Sequence, residues 1–298
     1  MLLGIVAAGM LLARPAVAQQ TELAKLIASD ASANEWFGHD VAVSGDTAIL
    51  GAPGSGGVAG SAYVFAKVGG AWVQQQKLVA SDGAAGDYFG WSVAISGATV
   101  IVGSWHDNHT GGLDVGSAYV FVRAGNTWVE QQKLVASDSA SQDEFGSSVA
   151  ISGDRAIVGA PRDDHAGGMT AGSVYVYART AGTWAEQQKL VASDASQGDQ
   201  FGLSVSMSGD TAIVGSHVDD NQVGSAYLYD GTGAVWVEQQ KLVASDAASQ
   251  DQFGYSVAIL GDLAIVGSRR DNHPGASDAG SAYAFVRTGG TWGEQQKL

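Results

Sequence analysis

A Phe-Gly pair recurs at Phe37, Phe89, Phe145, Phe201 and Phe253, at intervals of 52, 56, 56 and 52 residues, each time leading the same train of residues. The unit that starts at Phe145 reads F-G-S-S-V-A-I-S-G-D-R-A-I-V-G-A-P, then an acidic loop, then G-S-V-Y-V-Y-A-R-T-A-G-T-W-A-E-Q-Q-K-L-V-A-S-D. Self-similarity at such a period is the mark of units that cannot bury both faces alone and lean on their neighbours; a unit of this length suits one four-stranded sheet. The repeats leave no room for a second, unrelated core, so one repeat domain is expected over residues 19–298.

Each unit divides into four strands. S-V-A-I-S alternates and is short, A-I-V-G is small and apolar, G-S-A-Y-V-F is a third, and W-V-E-Q-Q-K-L-V-A is longer and polar. We name them A to D. Ser152-Gly153-Asp154 turns A into B, and Ala181-Gly182-Thr183 turns C into D, as hairpins require. The small residues of B predict that B crowds the common axis, and the Glu, Gln and Lys of D predict an outer edge that resists pairing with other molecules. One Phe, one Tyr and one Trp per unit, such as Phe145, Tyr175 and Trp184, are expected to fill the gaps between sheets. The units fall near 37–80, 89–136, 145–192, 201–244 and 253–298, and residues 21–28 match only the end of D, so an extra leading strand is predicted.

Glycine, at 42 of 298 residues, is about twice its usual share of roughly 7%, as many tight turns demand. A net charge of −15 argues against nucleic acid and anionic membrane as partners. With no cysteine there is no disulfide, no thiolate metal site and no thiol nucleophile. Leu2 to Leu12 is apolar but too short to span a bilayer, and Ala16-Val17-Ala18 follows Pro15 as a cleavage signature, so residues 1–18 read as a secretory signal peptide. A secreted, periplasmic or cell-surface monomer with no membrane span after cleavage is the expectation.

The Phe-Gly and Gly-Ala-Pro landmarks resemble the FG-GAP repeat of the integrin alpha-subunit propeller family. Gly51-Ala52-Pro53 and Gly159-Ala160-Pro161 match in full, while Gly103-Ser104, Gly215-Ser216 and Gly267-Ser268 keep only the glycine. The resemblance implies an all-β propeller of four-stranded antiparallel blades and an adhesion-type role. Members usually have seven blades; this chain has five complete units plus the leading strand, which fits a five-bladed ring with a surplus strand or part of a six- or seven-bladed one. The family's calcium loop, D-x-[DN]-x-D-G-x-x-D in the A-B hairpin, is absent, because these hairpins carry one carboxylate at most where Ca²⁺ asks for six to eight oxygens. No cofactor is expected.

The distance from Phe to the strand-C Tyr is 26, 30, 30, 26 and 30, whereas Tyr to Trp is always 9, so length varies only in the B-C loop. In an up-and-down sheet the B-C and D-A loops share a face, and that face is acidic. It gathers Asp107-Asn108-His109, Asp163-Asp164-His165, Asp219-Asp220-Asn221 and Asp271-Asn272-His273, with Asp82, Asp87, Asp138, Asp143, Asp194, Asp199, Asp246 and Asp251 from D-A. Loops on a rigid scaffold are where recognition collects, yet Asp and Asn are also the commonest turn formers, so ligand contact and turn capping are both open for each. A weak Ca²⁺ site in the B-C loops has Asp163, Asp164 and His165 as its densest cluster. Trp91 and Trp105 break the pattern of unit two and are candidates for stacking on a sugar or for packing. No nucleophile-base pair departs from the repeat, so the chain reads as a non-catalytic binder of a protein or glycan, with a larger extracytoplasmic enzyme as the alternative context.

Overall fold

Two-residue Gly-Asp or Gly-Ala links with a left-handed glycine match the twist of antiparallel strands, and five such links set the fold. Ser44 pairs with Thr47, Ser96 with Thr99, Ser152 with Arg155, Ser208 with Thr211 and Leu260 with Leu263, around Gly45, Gly97, Gly153, Gly209 and Gly261 at φ of 57 to 60°. The computed structural model describes residues 24–54 and 57–298. It contains five four-stranded antiparallel sheets. The first is β1 (Val41–Ser44), β2 (Thr47–Ala52), β3 (Ser61–Val68) and β4 (Ala71–Leu78); the second is β5 (Ser92–Ser96), β6 (Thr99–Ser104), β7 (Ser117–Ala124) and β8 (Thr127–Leu134). The third is β9 (Val-containing segment Ser148–Ser152), β10 (Arg155–Ala160), β11 (Ser173–Thr180) and β12 (Thr183–Leu190). The fourth is β13 (Ser204–Ser208), β14 (Thr211–Ser216), β15 (Ser225–Thr232) and β16 (Val235–Leu242), and the fifth is β17 (Phe253–Leu260), β18 (Leu263–Ser268), β19 (Ser281–Thr288) and β20 (Thr291–Lys297). In each, the C-D pair is bulged at the same place, for example between Val176 and Tyr177.

Strand order within every sheet follows the chain, and the A strands of consecutive sheets pack on one another most closely while the D strands lie farther apart. The axis is therefore lined by A, not by B as the small side chains of B predicted. Those small residues answer a different constraint. The Phe-Gly segment of each unit lies against strand B of the unit before it, and a Cβ on Gly103 or Gly159 would sit 2.0 Å from the carbonyl oxygen of Gly146 or Gly202. Within its own blade the same segment is held by strand B, through Gly146 N–H to Gly159 O at 3.0 Å. The two sequence landmarks are thus two halves of one joint between blades.

Aromatics close the joint. Phe145 lies edge-on to Tyr175 and Tyr177, at 5.5 and 6.2 Å, and these three share a buried cluster with Trp184 and with Ile101, Ala118 and Val120 of the preceding sheet. Removing such a buried ring costs about 3 to 5 kcal/mol. The polar residues of D also join blades: Gln132 donates to Trp184 O at 2.8 Å and accepts from Trp184 N–H at 2.9 Å, and Gln76, Gln188 and Gln240 repeat the pair.

The described part of the expected leading strand, residues 24–28, joins no sheet. A strand needs a ladder partner, and among the described residues no free strand C lies beside it. It still fills its landmark's place: Ala28 is buried against the first blade, and Asp30 accepts from Tyr63 Oη at 2.9 Å. Thr21 to Leu23 and the signal-peptide expectation, residues 1–18, lie outside the described residues. Among those described, no helix is long and apolar enough to cross a membrane.

Candidate functional site

In blades two to five the B-C loop meets the D-A loop on one face, through a lysine that D supplies; in blade one Lys77 holds Asp30 at 2.6 Å. Lys133 Nζ lies 2.7 Å from Asp82 and 2.6 Å from Asp107; Lys189 lies 2.7 Å from both Asp138 and Asp163; Lys241 reaches Asp194 at 2.6 Å and Asp219 at 2.7 Å; Lys297 holds Asp246 and Asp271. The strand-C tyrosine completes each strut, with Tyr119, Tyr175, Tyr227 and Tyr283 donating to Asp82, Asp138, Asp194 and Asp246 at 2.8 Å. Burial pushes the Asp138 carboxyl up, but the Lys189 and Tyr175 bonds outweigh it and hold the group below its ordinary value of 3.8. Burial, reinforced by Asp163, drives the Tyr175 phenol far above its ordinary 10.0, so this hydroxyl stays a donor.

The remaining predicted loop residues are likewise bonded inside the fold. Asp107, Asp163, Asp219 and Asp271 are each 3% exposed, which removes them from the surface that a partner could touch. Asn108, Asp164 and Asn272 accept from the N–H of Asp114, Thr170 and Asp278, closing the loop. The rings of His109, His165 and His273 donate through Nε2 to the carbonyls of Gly116, Gly172 and Gly280 at 3.1, 3.0 and 2.9 Å. Asp220 lies in a helical turn over Asp219–Gln222 and adds a third carboxylate to Lys241 at 3.3 Å. The D-A carboxylates Asp87, Asp143, Asp199 and Asp251 each accept the N–H three residues upstream at 2.6 to 2.7 Å. Asp163, Asp164 and His165 thus bond to different partners, and among the described residues no three His, Cys, Asp or Glu are grouped to hold a metal ion.

The unmatched landmarks have their own use. Where Gly-Ser replaces Gly-Ala, the Ser104, Ser216 and Ser268 hydroxyls donate to the carbonyls of Asp87, Asp199 and Asp251 at 2.8 to 2.9 Å.

Above these struts lies a rim that does not repeat. It is drawn from three places in each unit: the residue before Phe, the second residue after it, and the second residue after the strand-B glycine. In units one and two these give Trp36, His39, Pro53, Tyr88, Trp91 and Trp105, next to His106; in units three to five they give Glu144, Ser147, Pro161, Gln200, Leu203, His217, Gln252, Tyr255 and Arg269, of which His217 and Gln252 are buried. Trp36 and Tyr88 lie 6.3 Å apart with planes at 13°, and Tyr88 and Trp105 lie 5.6 Å apart at 18°, so three rings stand in a row with their faces nearly parallel. Trp91 packs behind, 5.2 Å from Trp105 and 4.3 Å from His39, and His106 meets Trp105 edge-on at 3.6 Å. His39 and Trp91, which pack against the row, line an open funnel of about 600 Å³ between the A strands together with Ser147, Leu203 and Tyr255; Trp36, Tyr88 and Trp105 are not among its lining residues.

From the sequence, Trp91 and Trp105 are candidates for stacking on a sugar or for packing; the structure gathers them with Trp36, His39, Tyr88 and His106, which the sequence reading did not place beside them. The signal was available in the residue before each Phe. It is left-handed in every unit, at φ of 54 to 59°, so the side chain there is directed by the frame and its identity is left free.

The FG-GAP repeat model matches residues 20–65, 72–121, 128–177, 184–229 and 236–285. Each match begins in or before a D strand and ends in strand C of the next sheet, which is why the segment before the first blade carries the end of a repeat. No curated protein matches the chain. With five matches over most of its length and the joint between strand-B glycine and the next Phe-Gly segment built at Gly51, Gly103, Gly159 and Gly215, the chain belongs to the FG-GAP repeat family.

Proposed function

We propose that this propeller is a non-catalytic binding scaffold that works outside the cytoplasm and recognises a macromolecular partner through the face formed by the B-C and D-A loops. The carrying observation is the contrast on that face between loops fixed by repeated Lys-Asp-Tyr struts and a rim whose combination of residues differs from unit to unit. A rigid frame presenting unlike side chains is what selective recognition needs, since little order is lost on binding. The opposite face offers mainly short hairpins. Extracytoplasmic placement rests on the apolar segment and Ala16-Val17-Ala18 signature in the sequence.

The test immobilises the chain and compares what it captures from its native extracellular medium with what two variants capture. Replacing Trp36 and Tyr255 on the rim abolishes capture if the reading is right, while Asp46→Asn on the opposite face leaves it intact. Equal loss with Asp46→Asn, or capture indifferent to the rim, overturns the reading.

A further inference from the structure

The repeats act as controls on one another. Units three to five keep the left-handed residue before Phe and the Lys-Asp-Tyr strut of unit two with Glu144, Gln200 and Gln252 where units one and two have Trp36 and Tyr88. The frame therefore does not need aromatic rings there. Trp36 nevertheless stands 47% exposed, a placement that loses hydrophobic stabilisation unless something covers it.

Three features narrow the chemistry of what covers it. First, the Trp36, Tyr88 and Trp105 planes are within 18° of their neighbours, so they form a shelf of stacked, parallel rings with Trp36 its exposed member, whereas a cage for a quaternary cation needs rings set at angles around it. Second, polar groups flank the shelf on both sides: His39 between Trp36 and Trp91, and His106 beside Tyr88 with its Nδ1 3.6 Å from an Asp114 carboxylate oxygen, both about one third exposed. Third, His39 and Trp91, which touch the shelf, line the funnel of about 600 Å³, within the range of small-molecule sites. An exposed aromatic ring flanked by donors and acceptors complements a ring that is apolar on its face and hydroxylated at its edge.

Resting on the proposed binding role of this face, we propose that the aromatic shelf of blades one and two is a carbohydrate subsite: a neutral pyranose stacks on Trp36 and Tyr88, and its hydroxyls bond to His39, His106 and Asp114. The sugar is either a unit of a glycan carried by a partner or a free oligosaccharide, and its recognition is the same in both.

The experiment titrates the full chain with neutral oligosaccharides of glucose, galactose, mannose and N-acetylglucosamine, following tryptophan fluorescence and calorimetry, with tetramethylammonium as the competing cation probe. Saturable binding of at least one oligosaccharide is expected, weakened about tenfold or more in Trp36→Ala and in Tyr88→Gln, with melting temperatures that stay near wild type. Binding of tetramethylammonium alone, no response to any of the sugars by a folded chain, or affinity unchanged in both variants overturns the proposal. If sugars fail while rim-dependent capture of a partner persists, the binding face survives and only its carbohydrate assignment falls. A glycan-bearing partner is distinguished from a free oligosaccharide by whether deglycosylation of the captured partner abolishes capture.

Discussion

The struts beneath the loop face and the rim above it come from the same repeats and obey opposite rules. At the struts, units two to five place Lys, Asp and Tyr at equivalent positions, with 2.7, 2.7, 2.6 and 2.6 Å from lysine to the D-A carboxylate and 2.8 Å from tyrosine to it in all four. At the rim, residues at equivalent positions range from Trp36 to Glu144 and from Trp105 to Arg269. The difference teaches that recurrence in this chain reports load within the frame, while departure from recurrence marks surface that the frame leaves free. Local chemistry still adapts in the second sector: Arg162 pairs with Glu144 at 3.0 Å, and Arg269 stacks over Tyr255 at 4.0 Å.

The largest effect is expected at the joint between blades. Gly159→Ala places a methyl 2.0 Å from Gly202 O, a backbone atom that cannot step aside, and is expected to cost about 3 kcal/mol or more. Gly267→Ala meets only the Ser256 Oγ at 2.4 Å, the end of a side chain that can rotate, and should cost less than about 1 kcal/mol. Chemical denaturation of the two variants checks the pair; equal losses would mean that the joint is not what fixes the glycine.

Next come the struts. Asp163→Asn leaves Lys189 with one carboxylate at a site where the lost partner was 3% exposed, and a loss of roughly 2 to 4 kcal/mol is expected. Asp46→Asn, on an exposed hairpin, should stay within about 0.5 kcal/mol. If Asp163→Asn melts like wild type and instead loses partner capture, the strut description is wrong and the carboxylate belongs to a ligand site.

Acid titration separates the two layers more gently. Burial raises the Asp143 carboxyl to about 6, with its bond from Ala140 N–H only partly opposing, and raises Glu144 to about 6 against the pull of Arg162. Raised carboxylates favour the folded state more as pH falls through 6. Burial, helped by Arg269, lowers His217 to about 4 from its ordinary 6.5, so this ring favours the folded state less over the same interval. The opposing slopes predict a melting temperature nearly flat between pH 7 and 5. It then falls below about 3.8, where Asp82, Asp138, Asp194 and Asp246, all held below that ordinary value, take up protons and release their lysines. A His217→Gln variant should gain stability on going from pH 7 to 5; a flat profile in that variant would remove the histidine from the account.

The smallest effect is expected at the rim. Trp36→Gln, which installs the residue type of units four and five, should change stability by no more than about 0.5 kcal/mol. A marked loss would show that the aromatic row carries structural load and would erase the distinction between the layers.

The sequence alone determined the period, the four strands per unit, the hairpins and the face on which length varies. These follow from local rules: strand alternation has a period of two, a two-residue turn needs a left-handed glycine, and both are written within a few residues of each other. Tertiary structure decided the rest because the deciding partners lie far apart in the chain. Asp163 becomes a strut only because Lys189 arrives from strand D and Ser173 from strand C. At Gly51, Gly103, Gly159 and Gly215 strand B has no room for a side chain because the next unit's Phe-Gly segment crosses it. Trp36, Tyr88 and Trp105 form one row only because two sheets dock side by side, and no spacing within a unit could place a ring of the first beside a ring of the second.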